Sequence, residues 1–98
     1  MLDIKNTLWL LAPETSLGHP KNTDIFFVYS SITGVQFELN EVSHDALSLI
    51  PEGGITVEIL ASSLAAMYDA PPAIIAEDLY EIFRELHEYG LLKPAPSA

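Results

Sequence analysis

The sequence has 98 residues, and fourteen acidic side chains against four basic ones give a net charge of −10. This length suits one domain, and with about half of the residues apolar a single core can form, so a wholly disordered chain is excluded. So acidic a chain is repelled by nucleic acid and by anionic lipid, and the absence of cysteine excludes a disulfide scaffold and a thiolate metal site.

The first half of the chain has the composition of β-strands. Apolar, β-branched and aromatic residues predict strands over residues 7–12, 25–30 and 35–39. Between the first two, residues 13–24 collect Pro, Gly, Asn and Asp, which predicts a loop. The spacing favours a three-stranded antiparallel meander.

The third predicted strand alternates strictly between apolar and polar residues. Val35, Phe37 and Leu39 are predicted to face the core, while Gln36 and Glu38 face outward. Such an alternation is typical of a strand with one buried face.

The second half of the chain predicts three helices. Asn40 and Thr56 are suitable N-cap residues for the first two, and the third helix is predicted over residues 73–89, with Gly90 after its end. The expected fold class is α+β and winged helix-turn-helix-like, with a three-stranded antiparallel sheet followed by three helices. The residues expected to be mostly buried are Trp9, Phe27, Phe37, Leu49, Leu60, Leu64, Leu79, Ile82 and Leu86.

The third helix carries an apolar stripe with an acidic flank. At about 100° per residue, the stripe consists of Ile75, Leu79, Ile82, Leu86 and Tyr89. Phe83 widens it on one side, and Asp78, Glu81 and Glu85 border the other. A helix that reads DNA offers basic or amide side chains to bases and phosphates, so this helix is unsuited to that role. Asp78 is interpreted either as a ligand contact or as an acid that favours the first turn of its helix.

No motif in the chain predicts catalysis or a metal. Ser43, His44 and Asp45 are the three residue types of a hydrolase triad, but consecutive helical residues point about 100° apart and cannot align. His19 and His87 lie far from His44 in the chain, without metal-ligand spacing. We therefore expect no enzymatic activity, no metal and no cofactor.

The third strand offers a mechanism for binding. As the last strand of a meander it forms a sheet edge, whose unpaired backbone groups can accept a strand from another chain. If the third helix lies beside this edge, the two enclose a groove with an apolar floor and an acidic rim. The net charge itself either keeps a small apolar domain soluble or steers a basic partner.

Several short motifs occur in the order of a known family. They are Leu39-Asn40, the apolar pair Leu49-Ile50, Gly54 followed by Thr56, Val57 and Ile59, and a helix with Asp78, Leu79, Ile82, Phe83 and Leu86 that ends in Gly90-Leu91. With these motifs the segment from 25 to 92 resembles the PqqD-like family, the recognition elements for precursors of ribosomally synthesised, post-translationally modified peptides (RiPPs). Two features depart from the family pattern, namely "YSSITG" in place of a Tyr-Pro-Glu-like turn and the long predicted loop over residues 13–24.

The resemblance implies a non-catalytic peptide chaperone that binds the leader segment of a precursor peptide and presents it to a modifying enzyme. It implies a leader added as a strand to the third strand, beside the third helix. The peptide-binding residues would be Val35, Gln36, Phe37, Glu38, Leu39, Ile75, Asp78, Leu79, Ile82, Phe83 and Leu86. The partner enzyme would be a separate radical-SAM enzyme, leader peptidase or cyclase.

Other expectations complete the interpretation. Residues 1–92 are predicted to form the single domain, and residues 93–98 a flexible C-terminal tail. The chain has no signal peptide or membrane span by pattern, so we expect a cytoplasmic protein that binds neither nucleic acid nor membrane. The sequence is compatible with a homodimer as well as with a monomer. The alternative function is an acidic winged-helix module for protein interaction or transcription regulation.

Overall fold

The computed structural model describes residues 6–96, which form two small antiparallel sheets and three helices. The elements in chain order are β1 (Trp9–Leu11), β2 (Thr15–Gly18), β3 (Phe26–Ser30), β4 (Gln36–Leu39), α1 (Glu41–Ser48), α2 (Val57–Tyr68), α3 (Pro72–Glu88) and β5 (Leu92–Pro94). The α+β fold with a three-stranded antiparallel sheet and three helices is confirmed.

The three-stranded sheet has the order β2-β3-β4, and its first strand is not the one predicted. Residues 13–24 are not all loop, because Thr15–Gly18 pairs with β3 from Thr15 opposite Ser30 to Gly18 opposite Phe27. The sequence did not predict this short strand, because the neighbouring Pro, Gly and Asn residues are typical of a loop. Gly18 lies against the Phe27 ring, so a Cβ at this position would require the ring to shift.

The first predicted strand, β1, belongs to a second sheet with the end of the chain. β1 pairs with β5, with Trp9 opposite Pro94 and Leu11 opposite Leu92. The flexible tail predicted over residues 93–98 is therefore wrong for Lys93 and Pro94, because they are held by backbone pairing with β1. Residues 97 and 98 lie outside the described residues.

The helix ends follow local capping chemistry. The Asn40 side chain accepts a hydrogen bond from the Ser43 amide, and the Thr56 hydroxyl accepts one from the Ile59 amide, so both predicted N-caps are confirmed. Gly90, which follows the C-cap residue Tyr89 of α3, has a φ of +81°, a conformation that favours glycine. Among residues 6–96, no helix has the length and hydropathy needed to cross a membrane.

The core lies between α2, α3 and the two sheets, and its composition corrects several burial predictions. Trp9 and Phe83 are fully buried and meet edge to face, with ring centroids 6.1 Å apart. Leu49 was expected to be buried but is 43% exposed, and Phe27 and Phe37 are only half-buried. Because β1 and β5 cover α3 on the Phe83 side, the buried face of the helix is rotated from the predicted stripe. It consists of Ile75, Leu79, Phe83 and Leu86, with Ile82 half-buried and Tyr89 exposed.

Candidate functional site

The free edge of β4 presents unpaired backbone groups. The Ser30 amide donates to the Val35 carbonyl at 2.9 Å, and antiparallel pairing then alternates along the strand through Val28 opposite Phe37. The N–H and C=O groups of Gln36 and Glu38 therefore point away from β3. No strand within residues 6–96 pairs with this edge of the sheet.

The side chains of β4 show the predicted alternation. Gln36 and Glu38 are exposed, Phe37 is half-buried, and Leu39 is 7% exposed. The Phe37 ring packs against Tyr89 with centroids 5.2 Å apart, which connects β4 to the C-terminal end of α3. The edge strand is thus anchored beside α3 while its outer backbone remains open.

Beside this edge lies a groove of about 330 Å³ between β4, the start of α1 and one flank of α3, here called the β4–α3 groove. Its lining residues are Glu38, Leu39, Asn40, Ser43, Asp78, Glu81, Ile82 and Glu85. Of the predicted peptide-binding residues, the structure brings together Glu38, Leu39, Asp78 and Ile82 here. Asn40 and Ser43 were missed as site residues, because the capping pattern accounts for Asn40 and nothing in the local sequence marks Ser43 as lining a groove.

The remaining predicted site residues on α3 lie beneath the surface of the groove. Ile75, Leu79 and Leu86 are at most 5% exposed, and Phe83 is fully buried against Trp9. The expectation that Phe83 lies at the stripe edge, within reach of a ligand, is wrong, since it packs on the side of β1. Ile82 takes that place at the groove.

The groove is lined by carboxylates without a basic neighbour. Glu38, Asp78, Glu81 and Glu85 line it, and no Lys or Arg among the described residues does so. Because α3 begins at Pro72, Asp78 lies in its second turn, where the favourable effect of the helix N-terminus on an acid has decayed. The interpretation of Asp78 as an acid that favours the first turn therefore fails.

At the base of the groove lies the Ser43 side chain. Ser43 is only 6% exposed, and its backbone amide donates a hydrogen bond to the Asn40 side chain. Ser43 therefore lines the β4–α3 groove from the first turn of α1, opposite the acidic flank of α3.

Ser43, His44 and Asp45, which have the residue types of a hydrolase triad, contact different neighbours. Ser43 faces the groove, whereas the His44 ring packs on Phe26 with centroids 5.0 Å apart. The Asp45 carboxylate accepts a hydrogen bond from the Tyr68 hydroxyl. Burial of Tyr68 and its contact with Asp45 raise the pKa of Tyr68 well above its ordinary value. Among residues 6–96, no cluster of three or more His, Cys, Asp or Glu side chains is suited to a metal ion.

A larger cavity of about 540 Å³ lies between α2 and α3, lined by small side chains such as Ala61, Ala73 and Ala76. At about 100° per residue, these α3 positions fall on the flank opposite Asp78 and Ile82. This cavity borders no strand edge, so it lacks the backbone groups that make the β4–α3 groove suited to a peptide.

Comparisons with known proteins found a family model and solved structures that match this chain. The model of the family described as Coenzyme PQQ synthesis protein D (PqqD) matches residues 8–92. The solution structure of the PqqD truncation of Methylobacterium extorquens PqqCD, described as a stand-alone RiPP recognition element, has a TM-score of 0.76 and 24% identity, with 91% of this chain and 92% of that chain covered.

Two further structures were solved with peptides bound. TbiB1 in complex with the TbiA(beta) leader peptide has a TM-score of 0.68 and 23% identity, covering 89% of this chain and 98% of that one. Lasso peptide synthetase B1 complexed with the leader peptide has a TM-score of 0.67 and 19% identity, covering 88% and 98%. At sequence identities of 19–24%, the similarity to these three structures establishes that the chain shares their fold. No curated protein sequence matches the chain significantly.

Proposed function

This chain belongs to the PqqD family, and we propose that it is a non-catalytic peptide chaperone, which binds the leader segment of a ribosomally synthesised precursor peptide and presents it to a modifying enzyme. The observation that carries the proposal is the open edge of β4 beside the β4–α3 groove. Two proteins of similar fold were solved with leader peptides, which supports the same class of ligand here.

The leader adds to the sheet as a strand next to β4. Its main chain pairs with the two N–H and two C=O groups of Gln36 and Glu38, which already point outward in extended geometry. Successive side chains of an added strand point to opposite faces, so every second leader residue is directed to the groove and contacts Ile82 or its acidic neighbours. Affinity comes largely from backbone pairing, and sequence preference from the groove.

The chemistry of the precursor is left to a separate enzyme, for which a radical-SAM enzyme, a leader peptidase or a cyclase is proposed. The chain acts as a single binding domain, which includes β5 as well as the predicted residues up to 92, in the cytoplasm. The transcription-regulatory alternative has no support in the geometry, because α3 presents Asp78, Glu81 and Glu85 on its open flank. These carboxylates repel the phosphates that a DNA-binding helix must approach.

A titration followed by amide NMR tests the proposal. The ligand is a leader peptide from a short open reading frame beside the gene for this chain and a modifying enzyme, and short duplex DNA serves as the control. Leader binding should shift the Gln36 and Glu38 amides and slow their exchange with solvent, because these groups become hydrogen-bonded. Binding of DNA but not leader, or shifts that leave β4 untouched, would contradict the proposal.

A further inference from the structure

We infer that two apolar side chains, about six residues apart in the bound leader, anchor it at the two ends of the β4–α3 groove, one on Ile74 and the other on Tyr89. The inference rests on the proposed function and specifies the class of peptide that this site selects. Neither residue lines the groove itself, and neither was among the predicted peptide-binding residues.

Ile74 and Tyr89 continue the groove flank of α3 in both directions. The groove contacts α3 from Asp78 to Glu85, so Ile74 lies one turn before this segment and the C-cap residue Tyr89 one turn after it. At about 100° per residue, both lie within about 40° of Asp78 around the helix axis. They therefore share the flank of α3 that borders β4, and not the flank that borders α2.

Both side chains are large, apolar and open to solvent. Ile74 and Tyr89 are each more than half exposed, whereas Ile82 between them is half-buried in the groove. Single exposed apolar side chains are common on protein surfaces and imply no ligand. These two differ because they are aligned with one groove, at opposite ends of its acidic stretch from Asp78 to Glu85. The flank thus offers an apolar contact at each end.

At the Tyr89 end, the apolar surface is shared with β4. The Tyr89 ring meets the half-buried Phe37 ring at a centroid distance of 5.2 Å and an interplanar angle of 63°. Gln36 and Glu38, on either side of Phe37, carry the outward backbone groups that pair with the leader. A leader side chain that is directed toward α3 at this point meets the Tyr89 ring, which favours an apolar or aromatic partner.

The distance between the two contacts determines their spacing in the peptide. The residue numbers of Ile74 and Tyr89 differ by 15, and a rise of about 1.5 Å per residue gives about 22 Å along α3. An extended strand advances about 3.3 Å per residue, so this distance corresponds to about seven residues. Side chains on one face of a strand are an even number of residues apart, and six is the nearest even number. The expected leader carries apolar residues at i and i+6.

The test is a selection from a phage-displayed library of random 16-residue peptides against the purified chain. The parent should enrich peptides with apolar residues at i and i+6. Ile74→Ser should abolish the enrichment at one of these positions and Tyr89→Ser at the other. Each variant should bind the peptides selected on the parent about 5- to 30-fold more weakly, since it loses one apolar contact.

Matched controls separate these two contacts from a general loss of exposed apolar surface. Ile59 and Met67 are also more than half exposed, but they lie on α2 and do not line the groove, so Ile59→Ser and Met67→Ser should bind like the parent. Equal losses in the controls would overturn the inference, as would selected peptides without the apolar pair. Alanine at the peptide position that contacts Ile74 should weaken binding to the parent but not to Ile74→Ser, and additive losses would contradict that contact.

Amide shifts of Gln36 and Glu38 distinguish this inference from the proposed function. If selected peptides shift these amides but lack the apolar pair, strand addition holds and the two-anchor inference is wrong. If the selection yields no binding peptide, or peptides bind without shifting these amides, the proposed function fails, and this inference fails with it.

Discussion

Replacing Gln36 by proline tests the central geometric claim, that a peptide pairs with the open edge of β4. Gln36 is exposed, its side chain does not line the groove, and its N–H points away from β3. Proline removes that N–H and places a ring where the added strand must approach. The sheet itself loses no hydrogen bond, because pairing with β3 uses Val35, Phe37 and Leu39.

The expected magnitude follows from the number of exposed groups. Gln36 and Glu38 together offer four backbone hydrogen bonds to an added strand. Each has a net value of about 0.5–1.5 kcal/mol, and the proline ring hinders the neighbouring bond as well. We expect Gln36→Pro to weaken leader binding by about 1–2 kcal/mol, or roughly 5- to 30-fold in Kd.

Gln36→Ala is the matched control, because it removes the same side chain and keeps the N–H. Isothermal titration with a leader peptide should give parent-like affinity for the alanine variant and the loss only for the proline variant. Circular dichroism must show the proline variant folded. A folded Gln36→Pro variant with unchanged affinity would refute strand addition to β4.

Three further predictions address the groove, the core and titration. Ile82→Ala should weaken leader binding and lower the free energy of unfolding by about 1–2 kcal/mol, whereas Phe83→Ala should lower it by about 3–5 kcal/mol, because Phe83 is buried against Trp9. Urea unfolding followed by Trp9 fluorescence compares the two variants. Equal losses of stability would contradict the placement of Ile82 at the groove and Phe83 in the core. Because Tyr68 has a raised pKa in the folded state, folded Tyr68 keeps its proton after the unfolded chain has lost it, so the free energy of unfolding should fall as pH rises above about 10. In urea unfolding, the free energy of unfolding of Tyr68→Phe should fall less steeply with pH across that range. Identical slopes in the parent and the variant would show that the contact of Tyr68 with Asp45 does not cause the pH dependence.

Local chemistry in the sequence was enough to predict the elements that build the site. The alternation over residues 35–39 predicted a strand with its polar face outward, and Asn40 and Thr56 predicted two helix starts. The acidic flank of α3 also follows from spacing, because residues three and four apart share a helix face whatever surrounds the helix. These features depend on a few neighbouring residues, so the sequence alone determines them.

Only the tertiary structure decided which strands pair with each other and which side of α3 is buried. The apolar residues of β1 predict a strand, but only the folded chain pairs Trp9 with Pro94 and leaves the edge of the larger sheet to β2. That pairing covers α3 on the Phe83 side, which buries Phe83 and moves Ile82 to the groove. Periodicity predicts which face of a helix is apolar, but which side chain on that face meets solvent depends on what packs against it, and distant parts of the chain supply those contacts.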